Sequence, residues 1–168
     1  MTHTASYQSP FGPITLASDG NALIGLWFEG QRHYGSTLGD GLLRTTDDVI
    51  LKTCRWLDSY FSGRCPTFTP PLKLEATPFR QCIYRLLLQV PYGTTASYGE
   101  IAHRYAQQYG KSLPAYQAVG SAIGRNPISV IVPCHRIIGS HGRLGGYAGG
   151  LEIKQQLLQL ENINTHII

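Results

Sequence analysis

The pattern of apolar and polar residues divides the chain into a β-rich first part and a helical second part. Two short apolar runs, 14–17 and 23–28, flank Asp19-Gly20-Asn21, a strong turn signal, and this arrangement predicts a β-hairpin. A helix is predicted to follow from residue 46 to residue 63. Two aspartates lie in its expected first turn, where carboxylates are favourable at the positive end of the helix dipole.

A proline-rich stretch between Cys65 and Pro78 marks the predicted domain boundary. It has no periodicity and is typical of an extended linker. The pair Thr77-Pro78 then predicts a helix start, with the threonine as N-cap and the proline in the first turn. Apolar residues recur behind it at helical spacing and predict a buried stripe: Phe79, Cys82, Ile83, Leu86, Leu87 and Val90. We therefore predict two domains, 1–76 and 77–168.

Three shorter helices are predicted in the second part. Ser97 is the expected N-cap of a helix over residues 98–105, and a second helix over residues 115–123 ends at Gly124. Two short helices joined by a turn are compatible with a helix-turn-helix, although most such pairs do not bind DNA. The last helix is expected over residues 151–160, with Glu161 at its end.

The strongest chemical signal is Pro133-Cys134-His135-Arg136, which follows the apolar residues Ile131 and Val132. Cysteine attacks as the thiolate, and a neighbouring cation or imidazole is the usual means of lowering the thiol pKa. The apolar run predicts that Cys134 lies at the end of a short buried strand, which would fix its direction. Cys134 is therefore the candidate nucleophile. The alternative is a buried structural cysteine beside a surface histidine.

A glycine-rich loop follows the cysteine over residues 142–150. It lacks the Gly-Lys-Ser or Gly-Lys-Thr ending of a phosphate-binding loop. Glycines allow a backbone to approach a flat ligand closely, with Tyr147 as one wall of the pocket. A flexible turn explains the same composition equally well.

Composition and charge narrow the function classes. The 168 residues can bury a core, and the four cysteines show no CxxC spacing, which argues against zinc and against a disulfide framework. Neither a secretory signal nor a membrane span is visible, so we expect a cytoplasmic protein. Residues 1–76 carry a net charge of −1 and residues 77–168 carry +5, which suggests a polyanionic partner for the second part.

Taken together, the motifs resemble the O6-alkylguanine-DNA alkyltransferases, or methylated-DNA–protein-cysteine methyltransferases, of the bacterial Ogt type. The resemblance covers residues 78–161 and rests on Ser97-Tyr98, Ala118-Val119-Gly120, Asn126-Pro127, Pro133-Cys134-His135-Arg136 and residues 145–151. It implies a mixed α/β (α+β) fold. The expected parts are a ribonuclease-H-like scaffold domain over 1–76 and a helical, winged-helix-like domain over 77–168, which binds DNA and accepts the alkyl group.

The activity implied by the resemblance is direct DNA repair. A methyl or alkyl group would move irreversibly from O6-alkylguanine, and from O4-alkylthymine, to Cys134 after base flipping. The partner would be double-stranded DNA, bound at the minor groove without sequence preference by a monomer, and no membrane. Displacement at a saturated carbon needs a soft nucleophile and a proton for the departing base, and neither a metal nor a cofactor. Water cannot hydrolyse the thioether product, so each molecule would act once.

Single residues acquire roles from the same resemblance. Cys134 would take the alkyl group, and His135 would act as base on the thiol through a bound water, oriented by Glu161. Tyr98 would donate a proton to the leaving guanine, and Asn126 would brace the turn before Cys134. The remaining candidates are assigned to DNA and base contacts: Tyr116, Gln117, Ala118, Gly120, Arg125, Arg136, Tyr147 and Ala148. Of these, Arg136 is expected to bridge the domains rather than to take part in the chemistry.

The sequence departs from the family pattern at Gln117. Some members carry an arginine directly before Ala-Val-Gly, where it fills the gap left by the flipped base. Glutamine can hydrogen-bond the orphaned cytosine, but it brings no charge and a smaller stacking plane. The efficiency of flipping is therefore in question, and Tyr116 is the next candidate for the same task.

Two other functions stay open at this point. A non-catalytic lesion-binding relative is disfavoured by Cys134, because such relatives replace the cysteine. A cysteine-dependent hydrolase or redox protein is disfavoured because no resolving cysteine lies near Cys134. Single residues also have ordinary explanations: Tyr98 as a core tyrosine, His135 as a turn cap and Glu161 as a solvated carboxylate.

Overall fold

A computed structural model describes residues 1–39 and 41–163, and of residue 141 the backbone alone. It divides into two compact units. The first comprises Met1–Glu75 and Pro127–Ile131, and the second comprises Ala76–Asn126 and the chain from Val132 on. The first unit ends one residue before the predicted boundary. The sequence did not indicate that a segment of the second half would pack within the first unit.

The first unit is built on a four-stranded sheet with the strand order β3-β2-β1-β4. Strands β1 (Thr2–Ser9), β2 (Gly12–Ser18) and β3 (Leu23–Phe28) are antiparallel neighbours, and the short β4 (Leu42–Leu43) runs parallel to β1. Pairing of β2 with β3 confirms the predicted hairpin. Strand β1 is mostly polar, so the apolar runs alone did not predict it.

Two segments that were not predicted to join the sheet contribute residues to the free edge of β3. The Leu23 N–H donates to the Pro71 carbonyl at 2.7 Å, and Leu26 donates to the Pro127 carbonyl at 2.9 Å. Each contact continues as a parallel bridge, from Leu23 to Leu72 and from Leu26 to Ile128. Proline suits an edge because it accepts a hydrogen bond there and lacks an N–H. The proline-rich stretch is thus partly an edge of the sheet, which corrects its interpretation as a linker.

Helix α1 (Asp48–Phe61) packs on this sheet. It begins after Asp47, whose carboxylate accepts the Ile50 N–H at 2.8 Å. The predicted start at residue 46 was two residues early, because Asp47 is the cap and not a first-turn residue. The helix buries one face: Val49, Ile50, Thr53, Trp56, Leu57 and Tyr60.

The second unit is helical, as predicted. It contains α2 (Pro78–Leu88), α3 (Tyr98–Tyr109), α4 (Tyr116–Gly124) and α5 (Leu151–Leu160), and the first three of these pack on one another. A short strand, β5 (Ala96–Ser97), pairs in parallel with β6 (Ile137–Ile138). Thr77 and Ser97 cap α2 and α3 through their side chains, which confirms both predicted caps.

Two predictions about the second half of the chain were wrong. Cys82 is only half-buried, whereas Tyr84 is fully buried and donates its hydroxyl to the Ala122 carbonyl at 2.8 Å. Residues 129–131 form a turn in which Val130 has a φ of 69°, so Cys134 does not end a strand. The β-branched run is buried for packing, and burial and strand formation favour the same residue types.

Candidate active site

Cys134 begins a short 3₁₀ helix, Cys134–Arg136, which leads into β6. Its N–H donates to the Val132 carbonyl at 2.8 Å, and the Ile137 N–H donates back to the Cys134 carbonyl. Only 4% of the residue is exposed. The backbone therefore fixes the thiol on both sides, although by a turn and not by the predicted strand.

The thiol is not activated by simple proximity to His135 and Arg136. Burial raises the pKa of Cys134 above its ordinary value; a hydrogen bond with Asn126, the charge of Lys154 and a hydrogen bond with Tyr147 act in the opposite direction but do not overcome it. This corrects the expectation that the neighbouring cation and imidazole lower the pKa. The thiol is protonated at neutral pH, so the reaction needs a base.

A buried network links His135 and Arg136 to Glu161. One Glu161 oxygen lies 2.6 Å from His135 Nε2, and the other accepts Arg136 Nε at 2.8 Å and the Gly93 N–H at 3.0 Å. Burial alone would raise the pKa of Glu161, but the hydrogen bonds from His135 and Arg136 and the positive charge of Arg136 lower it to about 2. Glu161 is thus an ionised, buried carboxylate at the end of α5, not a solvated one.

His135 is neutral in this network. Burial lowers its pKa below the ordinary value, despite the opposing effect of Glu161. A carboxylate can only accept, so the proton of the imidazole lies on Nε2 and Nδ1 is the basic nitrogen. A neutral imidazole has the protonation state that a general base requires, and His135 directly follows the cysteine whose thiol pKa is raised.

Asn126 connects α4 to the segment before Cys134. It is buried, follows the C-cap residue Arg125, and donates from Nδ2 to the Val132 carbonyl at 2.9 Å. The role of Asn126 as a brace stays a prediction, which this hydrogen bond supports. The hydrogen bond with Asn126 also lowers the pKa of Cys134.

Tyr98 lies between α4 and the glycine-rich loop. A Cβ atom at Gly145 would stand 2.9 Å from the Tyr98 hydroxyl oxygen, and one at Gly120 would stand 3.8 Å from the ring. Gly145 also has a φ of 67°, so both space and backbone require glycine there. Burial raises the pKa of Tyr98, with a further rise from Cys134, and the phenol therefore stays protonated as a donor.

Sequence reasoning missed Lys154. This side chain is fully buried, and its ammonium donates to the carbonyls of Ile137 at 2.6 Å, Gly146 at 3.2 Å and Leu144. Burial lowers the pKa of Lys154 to about 8. The sequence does hold a signal, because Lys154 and Glu161 occupy the same helical stripe as Leu157 and Leu158, and charges on an apolar stripe are unusual.

Arg136 belongs to the same buried network. Besides Glu161, its guanidinium donates to the Val90 carbonyl at 2.9 Å and lies 5.6 Å from the centre of the Tyr92 ring. The side chain is buried, and these partners all belong to the second unit. Arg136 therefore supports Glu161. This buried position argues against a DNA contact, and the domain bridge stays a prediction.

The other predicted DNA-contacting residues reach the surface of the second unit. On α4 and just beyond it, Gln117, Ala118 and Arg125 are exposed, and Tyr116 is 54% exposed. Their helix buries Val119, Ala122 and Ile123 on its opposite face. Gly120, Tyr147 and Ala148 are half-buried, and Tyr147 keeps its hydroxyl oxygen buried.

All four cysteines are free thiols. Among the described residues, no group of three or more His, Cys, Asp or Glu side chains could hold a metal ion. A helix with the length and apolar character that a membrane crossing requires is not found in residues 1–39 and 41–163.

The chain matches a class of protein in which a ribonuclease-like domain is followed by a DNA-binding domain. The ribonuclease-like domain of 6-O-methylguanine DNA methyltransferase matches residues 2–74, and the DNA binding domain of the same proteins matches residues 78–163. The chain belongs to the methylated-DNA–protein-cysteine methyltransferase family.

Individual relatives agree over nearly the whole chain. The methylated-DNA–protein-cysteine methyltransferase of Mycobacterium leprae is 43% identical over 161 residues, which cover 96% of this chain and 93% of the relative. The methylated-DNA–protein-cysteine methyltransferase of Methanosarcina mazei is 41% identical over 157 residues, which cover 94% of this chain and 95% of the relative. The crystal structure of Mycobacterium tuberculosis OGT in complex with DNA is similar with a TM-score of 0.81 and 41% identity, over 95% of this chain and 92% of that one.

Proposed function

We propose that this protein repairs DNA by moving an alkyl group from O6 of guanine to the sulfur of Cys134. One observation carries the choice of acceptor: within the DNA-binding domain, Cys134 is followed directly by a neutral His135 that an ionised Glu161 orients. O4-alkylthymine presents the same exocyclic oxygen chemistry and is a second substrate. The protein acts as a monomer in the cytoplasm.

The reaction consists of one displacement and two proton transfers. His135 Nδ1 takes the thiol proton through a bound water, and the thiolate attacks the alkyl carbon in line with the breaking carbon–oxygen bond. The electron pair of that bond stays on guanine, and the Tyr98 hydroxyl supplies the proton that the departing base needs. The thioether cannot be hydrolysed, so each molecule reacts once.

The target oxygen lies inside the duplex, so the nucleotide must leave the base stack before it can meet a buried cysteine. Small residues on α4 suit a close approach to the minor groove, and Arg125 adds a cation at the end of that helix. Tyr147 and its glycine-rich neighbours form one wall of the base pocket. Asn126 holds the end of α4 at a fixed distance from the segment of Cys134.

Mass spectrometry tests the proposal directly. The protein is incubated with duplex DNA that carries O6-methylguanine, and its peptides are weighed. A gain of one methylene mass on the Cys134 peptide is expected, with at most one methyl group per chain. Binding without a mass change would instead indicate a lesion-binding protein, and a gain on another cysteine would overturn the assignment of Cys134.

Binding to undamaged duplex is expected to weaken steeply with salt and to show little sequence preference. Two of the eight basic residues in the second part, Arg136 and Lys154, are buried and cannot reach phosphates, so the contacts fall to exposed cations such as Arg85, Lys111 and Arg125. Several such contacts cost orders of magnitude in affinity between about 50 and 200 mM salt. Fluorescence anisotropy measures this dependence, and a flat salt response would contradict the model of phosphate binding.

Gln117 is expected to control base flipping. A residue that fills the gap in the duplex opposes re-entry of the base, and arginine would add a planar cation that stacks and pairs with phosphate. Q117R should therefore speed repair of duplex DNA, and Q117A and Q117G should slow it. Single-turnover rates on duplex are compared with rates on free O6-benzylguanine, which needs no flipping. Equal losses of Q117A on both substrates would exclude Gln117 and make Tyr116 the next residue to test.

A further inference from the structure

Lys154 is a buried cation for which the proposed reaction has no step. It lies in the first turns of α5, and its side chain reaches back toward the glycine-rich loop from which that helix emerges. Burying an ammonium group is unfavourable unless its charge and its donors are compensated. Its position therefore requires a reason beyond filling the core.

All three donors of the ammonium group are in use. One goes to the Ile137 carbonyl, three residues after Cys134, and two go to the loop, at Leu144 and Gly146. An ammonium group has three donors and no acceptor, so none remains for a base or a phosphate. Lys154 can act on the substrate only through the segments that it joins.

Those two segments adjoin residues to which the proposed function assigns roles. Ile137 lies in β6, directly after the 3₁₀ helix of Cys134, and Gly146 immediately precedes Tyr147. Residues 144–147 form no helix or strand of their own. Gly145 of the same loop stands against the Tyr98 hydroxyl. The position of the loop thus affects Tyr98 and Tyr147 together.

We propose that Lys154 is a positioning residue for alkyl transfer: its ammonium group clamps loop 144–147 to the strand after Cys134 and so fixes the pocket wall that the alkylated base contacts. The inference rests on the proposed function. Without the clamp, the base and the Tyr98 proton are no longer held in line with the sulfur, while the thiol itself keeps His135 and Glu161.

A clamp and a charge that stabilises the thiolate predict different effects of substituting Lys154. K154M has a side chain of similar length without donors, and K154R keeps the charge but cannot direct three donors to the same three carbonyls. If Lys154 is a clamp, both variants lose transfer. A role of charge alone would spare K154R.

The experiment compares three rates on the full-length protein. These are transfer from O6-methylguanine duplex at saturating protein, reaction with free O6-benzylguanine, and labelling of Cys134 by iodoacetamide, which needs no base pocket. For K154M and K154R we expect losses of about 100-fold in the first two, because misplacement by about 1 Å costs that much. Iodoacetamide labelling of K154R and the affinity of both variants for DNA should change little, whereas labelling of K154M should slow modestly because the charge that lowers the pKa of Cys134 is lost.

Lys73→Met is the matched control, because it removes one exposed lysine from the first unit, to which no DNA contact is assigned. Methyl transfer by the wild-type protein tests the proposed function separately from the clamp. Equal losses in all three rates would show that Lys154 acts on the thiol, and unchanged rates would show that no clamp is needed. A normal rate for K154R, or loss of the folded second unit in both variants by near-ultraviolet circular dichroism, would also overturn the proposal.

Discussion

Replacement of Cys134 by alanine or serine is expected to abolish alkyl transfer and to leave DNA binding nearly unchanged. The thiol is the soft nucleophile of the reaction, and a serine hydroxyl at neutral pH cannot replace it. Cys134 is only 4% exposed and cannot contribute a phosphate contact, whereas the exposed cations of the second part are untouched. The measurement is transfer of radiolabelled methyl from duplex DNA to protein, with anisotropy for the affinity.

Cys65→Ser is the control for this experiment. Cys65 is an exposed free thiol outside the second unit, so its loss should leave both rate and stoichiometry as in the wild-type protein. Measurable methyl transfer to C134A would overturn the assignment of Cys134 as the nucleophile. A large fall in DNA affinity of the same variant would mean that the cysteine segment also shapes the DNA-binding surface.

The elements that local signals specify were predictable from sequence. The side chains of Thr77 and Ser97 each accept the backbone N–H of the residue three positions later. Because these bonds are local, both helix caps could be placed without tertiary information. The hairpin of β2 and β3 was equally readable, because a short turn joins two apolar strands.

Tertiary contacts decided what the sequence patterns missed. Pro71 and Pro127 belong to segments that differ in sequence position by more than fifty residues, yet both accept hydrogen bonds from β3. Neither partner is visible in a local window. The apolar run before Cys134 was assigned to a strand for the same reason: its residues are selected by burial, and the positive φ of Val130 interrupts an extended path.

The candidate site shows the same division. Motif resemblance identified Cys134, His135, Glu161 and Asn126. In the structure, Glu161 is hydrogen-bonded to His135 and Arg136, and Asn126 donates to the Val132 carbonyl. The net charge alone predicted the DNA-facing cations less well. It counted Arg136 and Lys154 as DNA-facing cations, but both are buried and satisfied within the second unit.

The direction in which the pKa of the Cys134 thiol shifts could not be predicted from the sequence either. Adjacent residues in a chain need not face each other, and in the 3₁₀ helix His135 Nε2 and Arg136 Nε are both directed to Glu161. Desolvation then dominates at Cys134 and raises its pKa. The consequence is a dependence on His135 that a pre-ionised thiolate would not have.

Replacement of His135 by alanine is therefore expected to slow alkylation by more than about tenfold near neutral pH, the usual range for loss of a general base. The pKa of the Cys134 thiol is raised, so at neutral pH the thiol stays protonated unless a base removes the proton. As pH rises toward and above that pKa, the thiol ionises unaided, and the difference between H135A and the wild-type protein should shrink. Single-turnover rates with free O6-benzylguanine across the pH range measure this without DNA binding.

E161Q is expected to show an overlapping defect, because Glu161 acts through His135. The amide removes the charge that holds the Nε2 proton, and Nδ1 becomes a weaker base. Residues that act as one unit are not independent, so the H135A/E161Q double variant should be no worse than the sum of the two single losses. Glu152→Gln, an exposed change on the same helix, is the control and should keep the wild-type rate. If the H135A defect were equally large at every pH, His135 would serve the structure of the turn, and the proton of Cys134 would have to leave by another route.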